Sequence, residues 1–123
     1  MAAEGEGVGL IESELAEVKR LGGTIQYHSK VTELILENDK ITGVKYLLDD
    51  KIHVISCDSV VLACGGFEAN SAMRMKLMGQ HWKDCLVRGS QHNLGAGIEM
   101  AMQAGAQFEG NPEGCHATPM DAN

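Results

Sequence analysis

Two glycine pairs carry the clearest chemical signal in the sequence. Gly65 and Gly66 end the apolar run "SVVLACGG", and Gly95 and Gly97 open a helix-like run just after Asn93. Glycines at a strand end indicate that the backbone adopts an unusual φ or that another group approaches it closely. Glycines before a helix leave its first N–H groups available to an electron-rich group such as a phosphate. The alternative for each pair is a tight turn that binds nothing.

The sequence gives little support for acid–base catalysis, for nucleophilic catalysis or for a metal site. Ser90, His92 and Asp84 are the residue types of a catalytic triad, but no motif surrounds them. The four cysteines have no C-x-x-C spacing, which favours reduced thiols. A zinc site lacks ligand spacing too, although its candidate ligands can be named as Cys85, Cys115, His81, His92 and His116. We therefore assign no catalytic residue and no metal site.

The elements that must position the glycines follow from hydrophobic periodicity. A helix is predicted before Gly22-Gly23, because its apolar residues recur at three- and four-residue steps and the glycines supply its end. A short strand is predicted over 24–29. Three alternating segments joined by tight polar turns then predict an antiparallel three-stranded meander.

The second half of the chain predicts one more strand and two helices. The continuous apolar run Val60–Ala63 is typical of a parallel strand buried on both faces. A helix is expected to start near Asn70 or Ser71, and another to run from Ile98 to Ala104. The predicted fold class is α/β, with one domain over residues 1–123.

Composition excludes several partner classes. The net charge is −7 and no basic block is present, which argues against nucleic acid and anionic membranes. No apolar run is long enough to cross a bilayer, and the N-terminus lacks the order of a signal peptide. We therefore expect a cytoplasmic protein.

The motifs together resemble those of the FAD-dependent fumarate reductase/succinate dehydrogenase flavoprotein family, and most closely its tricarballylate dehydrogenase-like members. The matching stretches are "ACGGFEAN" from Ala63, "NLGAGI" from Asn93 and "HAT" from His116. The helix, strand and meander of the front half match as well. The resemblance covers essentially the whole chain.

The resemblance implies a Rossmann-like FAD-binding domain and a set of site residues. The implied cofactor contacts are Val31, Ala63, Gly65, Gly66, Asn93, Gly95 and Gly97. Val31 would meet the adenine through its backbone, and Asn93 would either cap its turn or reach the cofactor. His116 and Thr118 would bind a substrate carboxylate. The implied reaction is hydride transfer between a polycarboxylate-type substrate and flavin.

Departures from the family pattern shape the remaining expectations. No strand–GxGxxG–helix unit is present, the chain ends where a cap domain with a catalytic arginine would begin, and Ala96 replaces a common Asp. We therefore expect the middle piece of a larger flavoenzyme, inactive and largely free of FAD when isolated. The alternative is a non-catalytic domain that associates with itself through exposed apolar faces and holds no redox cofactor.

Overall fold

The computed structural model describes residues 5–114, in which three α-helices and one three-stranded antiparallel sheet form. This composition is consistent with the predicted α/β class. In chain order the elements are α1 (Glu6–Arg20), β1 (Lys30–Glu37), β2 (Lys40–Leu48), β3 (Lys51–Ser56), α2 (Ser71–Met78), a 3₁₀ turn (Gln80–Trp82) and α3 (Ala96–Gln103).

Helix α1 confirms the first predicted helix, and it ends just before Gly22-Gly23, as predicted. Gly22 has a φ of 80°, a conformation that a residue without Cβ adopts readily. The N–H of Gly23 donates to the Val18 carbonyl at 2.8 Å, which closes the last turn. Within residues 5–114 the helix packs against no other helix or strand, and Val8 and Leu21 are each 70% exposed.

The meander is confirmed, with strand order β1-β2-β3. Both hairpin turns have two successive residues at positive φ, between 49° and 63°: Asn38-Asp39 and Asp49-Asp50. Such turns match the right-handed twist of the strands, and Asn and Asp tolerate this backbone region better than most residues. Short polar turns therefore fix the register without help from the rest of the chain.

Two bulges interrupt the pairing of β1 with β2. Thr32 and Thr42 each stand as an extra residue without a partner in the register. The Thr32 hydroxyl donates to the Lys45 carbonyl at 3.4 Å, and the Thr42 hydroxyl to the Ile35 carbonyl at 3.5 Å. The bulges increase the local twist of the sheet.

Two predicted strands do not form within residues 5–114. The segments 24–29 and Val60–Ala63 contain no strand, and Val61 is 89% exposed instead of buried. An apolar run becomes a strand only where another strand offers its backbone groups. In the described part of the chain, the last backbone bond to the sheet is from the Cys57 N–H to the Thr42 carbonyl, at 3.0 Å. No parallel sheet is therefore present in residues 5–114.

The interior is small and lies around α2 and α3. Helix α3 packs on β1, and α2 packs on the 3₁₀ turn. Among the described residues the buried hydrophobic side chain is Met100, at 6% exposure, and the buried charged one is Arg74, at 7%. No helix in residues 5–114 is long and apolar enough to span a membrane.

Candidate functional site

The structure brings the two glycine pairs together. Segments 63–70 and 92–97, called here the glycine-turn site, run side by side. Three hydrogen bonds, of 3.0, 3.0 and 2.9 Å, join them: Gly95 N–H to the Gly66 carbonyl, Ala69 N–H to the Asn93 carbonyl, and Asn70 Nδ2–H to the Leu94 carbonyl. Six of the seven predicted cofactor residues thus lie in one cluster.

The groups that require glycine here belong to the protein itself. Gly65 has a φ of 75°, and a Cβ on it would lie 2.7 Å from Asn93 Oδ1. A Cβ on Gly97 would overlap the Cys64 sulfur. Each segment therefore needs glycine so that the other segment can pack against it. Close packing of the two turns explains these glycines, and contact of the cofactor with them stays a prediction.

Asn93 is turned into the cluster. Its Nδ2–H donates to Glu68 Oε1, while its Oδ1 lies over Gly65. This hydrogen bond, with the backbone N–H of Glu68, lowers the pKa of the Glu68 carboxyl below its usual value. Asn93 therefore packs within the turns of this cluster, and its contact with the cofactor stays a prediction.

Asn70 begins α2 as predicted and also links the two segments. Its Oδ1 accepts the Met73 N–H at 3.0 Å, as an N-cap does. Its Nδ2–H donates to the Leu94 carbonyl at 2.9 Å. Both ends of one carboxamide are therefore used, so the start of α2 is tied to the second glycine segment.

The first turn of α3 offers backbone donors. Its N-cap is Gly95, with a φ of 85°, and no side chain of the described residues caps this turn. Ala96 is exposed, and the Cys64 sulfur lies against Gly97. N–H groups at a helix start carry partial positive charge, which suits an electron-rich group such as a phosphate.

Arg74 is a site residue that sequence reasoning did not single out. Its Nε donates to the Trp82 carbonyl at 2.9 Å, and its Nη2 to the carbonyls of Lys83 (3.0 Å) and Cys85 (3.2 Å). Its Nη1 donates to the Glu68 carbonyl. The guanidinium thus fastens an irregular segment to the glycine-turn site. The available signal was an arginine placed between methionines in a helix-like run, "SAMRMKLM".

The remaining predicted residues lie elsewhere. Val31 is half-buried on β1, opposite Tyr46 in the register, and is not part of the glycine-turn site. His116 and Thr118 lie outside the described residues. Among residues 5–114, no group of three or more His, Cys, Asp or Glu side chains could hold a metal ion.

Comparison with known proteins gives one family match. Residues 2–119 match a family model described as an FAD binding domain. This match confirms the predicted cofactor for the family. It spans both segments of the glycine-turn site together with the meander.

Three curated relatives resemble the chain. The NADH:acrylate oxidoreductase of Vibrio harveyi is 32% identical over 111 residues, which are 85% of this chain and 11% of that protein. The NADH:fumarate oxidoreductase of Klebsiella pneumoniae (strain 342) is 33% identical over 76 residues, 59% of this chain and 8% of that protein. The 3-oxosteroid 1-dehydrogenase of Mycobacterium tuberculosis (strain ATCC 25618 / H37Rv) is 30% identical over 112 residues, which are 85% of this chain and 20% of that protein.

The chain spans a fifth or less of the length of these relatives. All three names are those of oxidoreductases, and two name an unsaturated carboxylate. Together with the FAD binding domain match, these similarities confirm the predicted flavoprotein family, while the closer likeness to its tricarballylate dehydrogenase-like members stays a prediction. The chain belongs to the fumarate reductase/succinate dehydrogenase flavoprotein family and matches its FAD binding domain.

Proposed function

We propose that this chain forms part of the FAD site of an oxidoreductase that passes hydride between a carboxylate substrate and the flavin. One observation carries the proposal: the two glycine segments pack together at the first turn of α3, which no side chain of residues 5–114 caps. That arrangement gathers backbone donors in one place, and it occurs in a chain that matches an FAD binding domain.

The residues of the chain would bind and orient, while bound FAD supplies the redox chemistry. The N–H groups at the start of α3 would donate to an electron-rich part of the cofactor. The backbone at Gly65 and Gly66 would lie along it, and Val31 would contact the adenine. No nucleophile or acid–base pair is needed from this chain for that role.

The proposed substrate class follows from the names of two relatives. Acrylate and fumarate, which appear in the names of two relatives, are both carboxylates, whereas a 3-oxosteroid is not. A polycarboxylate, with His116 and Thr118 as carboxylate contacts, is the class that we propose. Histidine suits this role because it can donate a hydrogen bond and, as imidazolium, adds positive charge.

The Rossmann-like architecture is also a proposal. The run Val60–Ala63 would pair as a parallel strand with strands from another part of the flavoprotein. Its continuous apolar character supports this arrangement, as does the 89% exposure of Val61 in residues 5–114. A strand in this position would deliver Gly65 to the carboxyl edge of the sheet, where α/β folds bind ligands.

The test is FAD binding by fluorescence quenching, with a matched pair of glycine variants. Gly65→Ala adds a methyl group against Asn93 at a φ of 75°, whereas the Cβ of Gly7→Ala, on α1, meets no atom of residues 5–114 within 4 Å. We expect saturable binding of added FAD, too weak to retain the cofactor during purification, for wild type and Gly7→Ala, and binding weaker by about a further tenfold or more for Gly65→Ala. Wild-type protein that binds no FAD would contradict the proposal.

A second candidate function is self-association without a cofactor. Three large apolar side chains of residues 5–114 are more than 70% exposed: Ile52, Val61 and Leu86. Association of two copies would remove such side chains from water. Sedimentation equilibrium distinguishes the candidates, since self-association without FAD binding would favour the second one.

A further inference from the structure

The buried guanidinium of Arg74 has an unusual set of partners. All four of its acceptors are backbone carbonyls, three of them in segment 82–85 and one at Glu68. No carboxylate of residues 5–114 forms an ion pair with it. Burying a charged group is unfavourable unless hydrogen bonds satisfy it. The arrangement therefore depends on holding these particular carbonyls in place.

Glu68 connects Arg74 to Asn93 in the glycine-turn site through two hydrogen bonds. Its carbonyl accepts from Arg74, and its carboxylate accepts from Asn93 Nδ2. Asn93 Oδ1 in turn lies where a Cβ of Gly65 would be 2.7 Å away. A single residue thus joins the buried cation to the side chain that covers the glycine turn.

We propose that Arg74 and Glu68 are positioning residues for the cofactor. Arg74 holds the Glu68 backbone against segment 82–85, and Glu68 holds Asn93 against Gly65, so that the turn keeps the conformation that receives FAD. The inference rests on the proposed function. Only arginine suits the first position, because its planar fork has five N–H donors, whereas lysine has three on one nitrogen.

The experiment compares two conservative replacements in the FAD-loaded protein. Arg74→Lys keeps the charge but cannot reach all four carbonyls. Arg20→Lys is the matched control, since Arg20 is 66% exposed on α1 and pairs only with Glu17 among the described residues. We expect Arg74→Lys to weaken FAD binding by about tenfold or more and to alter the visible circular dichroism of the bound flavin, with no change for Arg20→Lys.

A second pair of variants decides the question if Arg74→Lys does not fold. Glu68→Ala removes the acceptor of the Asn93 hydrogen bond, whereas Glu68→Gln keeps an oxygen there. We expect weaker FAD binding and altered flavin circular dichroism for Glu68→Ala, and near-wild-type values for Glu68→Gln. A merely structural role predicts a lower unfolding temperature without any change in the flavin signal of the folded protein.

The results that overturn the inference are distinct from those that overturn the proposed function. Folded Arg74→Lys or Glu68→Ala protein that binds FAD within about twofold of wild type, with unchanged flavin circular dichroism, overturns the inference alone. Wild-type protein that binds no FAD overturns the proposed function and this inference with it.

Discussion

Replacing Gly97 with alanine tests whether close packing explains the second glycine pair. The new methyl group would overlap the Cys64 sulfur, while the Cys64 Cβ would lie at an ordinary 3.9 Å. The thiol would then have to leave its rotamer or the two segments would have to separate. Removing the sulfur with Cys64→Ala should therefore relieve the conflict.

The expected magnitude follows from two opposing effects. Overpacking typically costs about 1–3 kcal/mol. Alanine is favoured over glycine in a helix by up to about 1 kcal/mol, and Gly97 lies in α3 at a φ that is not positive. With the full helix gain subtracted, Gly97→Ala should thus lower the free energy of unfolding by about 0–2 kcal/mol. In the double variant with Cys64→Ala the overpacking should vanish, so the two substitutions should be coupled by about 1–3 kcal/mol.

The assay is equilibrium urea unfolding of wild type, both single variants and the double variant. Gly7→Ala, with and without Cys64→Ala, is the control pair, because a Cβ on Gly7 meets no atom of the described residues within 4 Å. In the control pair the effects should add, and Gly7→Ala alone should stabilise by up to about 1 kcal/mol. If Gly97→Ala also stabilised the protein and showed no coupling to Cys64→Ala, close packing would not be the reason for the glycine.

Two further predictions concern the side chains that join the turns. Asn70→Ala removes the cap on the Met73 N–H and should lower the free energy of unfolding by about 0.5–2 kcal/mol in urea titrations. Asn70→Asp keeps this acceptor but loses the donor to the Leu94 carbonyl, so it should recover only part of the loss. The hydrogen bond from Asn93 lowers the pKa of the Glu68 carboxyl in the folded protein. Ionised Glu68 therefore stabilises the fold fully above the ordinary pKa of a glutamate carboxyl, and this stabilisation is lost as the pH falls through the lower pKa of the folded state. Unfolding measured from pH 6 down to about pH 3 should therefore show a slightly smaller loss for Glu68→Gln than for wild type, and an identical pH dependence would rule out this contribution.

Local patterns predicted the elements whose stability is local. The end of α1 depends on Gly22, and the meander depends on two Asn/Asp turns and on alternating side chains. Each of these signals acts over a few residues, so the sequence carries it directly. The same holds for the start of α2, where Asn70 is both the sequence signal and the observed cap.

The failures have a common physical origin. Val60–Ala63 has the composition of a buried strand, but strand formation also needs partner strands, which residues 5–114 do not provide. Hydrophobic periodicity within one segment does not show whether a partner strand is present. The role of Arg74 could not be predicted for a related reason. Its acceptors include backbone carbonyls of an irregular segment, and because every residue has a carbonyl, the sequence does not mark these as partners. The family match supplies the cofactor, while the roles of His116 and Thr118 stay predictions.

The two hairpin turns also affect the order in which the chain folds. Each strand of the meander pairs only with its neighbour in sequence, so its contacts close short loops, which form within microseconds to tens of microseconds in typical hairpins. The glycine-turn site, in contrast, joins Gly66 to Gly95 across α2 and a long irregular stretch, and longer loops cost more entropy to close. The sheet can therefore be complete while the two glycine segments are still apart. Binding of the cofactor would then depend on the later and slower closure of the glycine-turn site. Substitutions in the two hairpin turns of the meander would therefore leave the rate of cofactor binding largely unchanged.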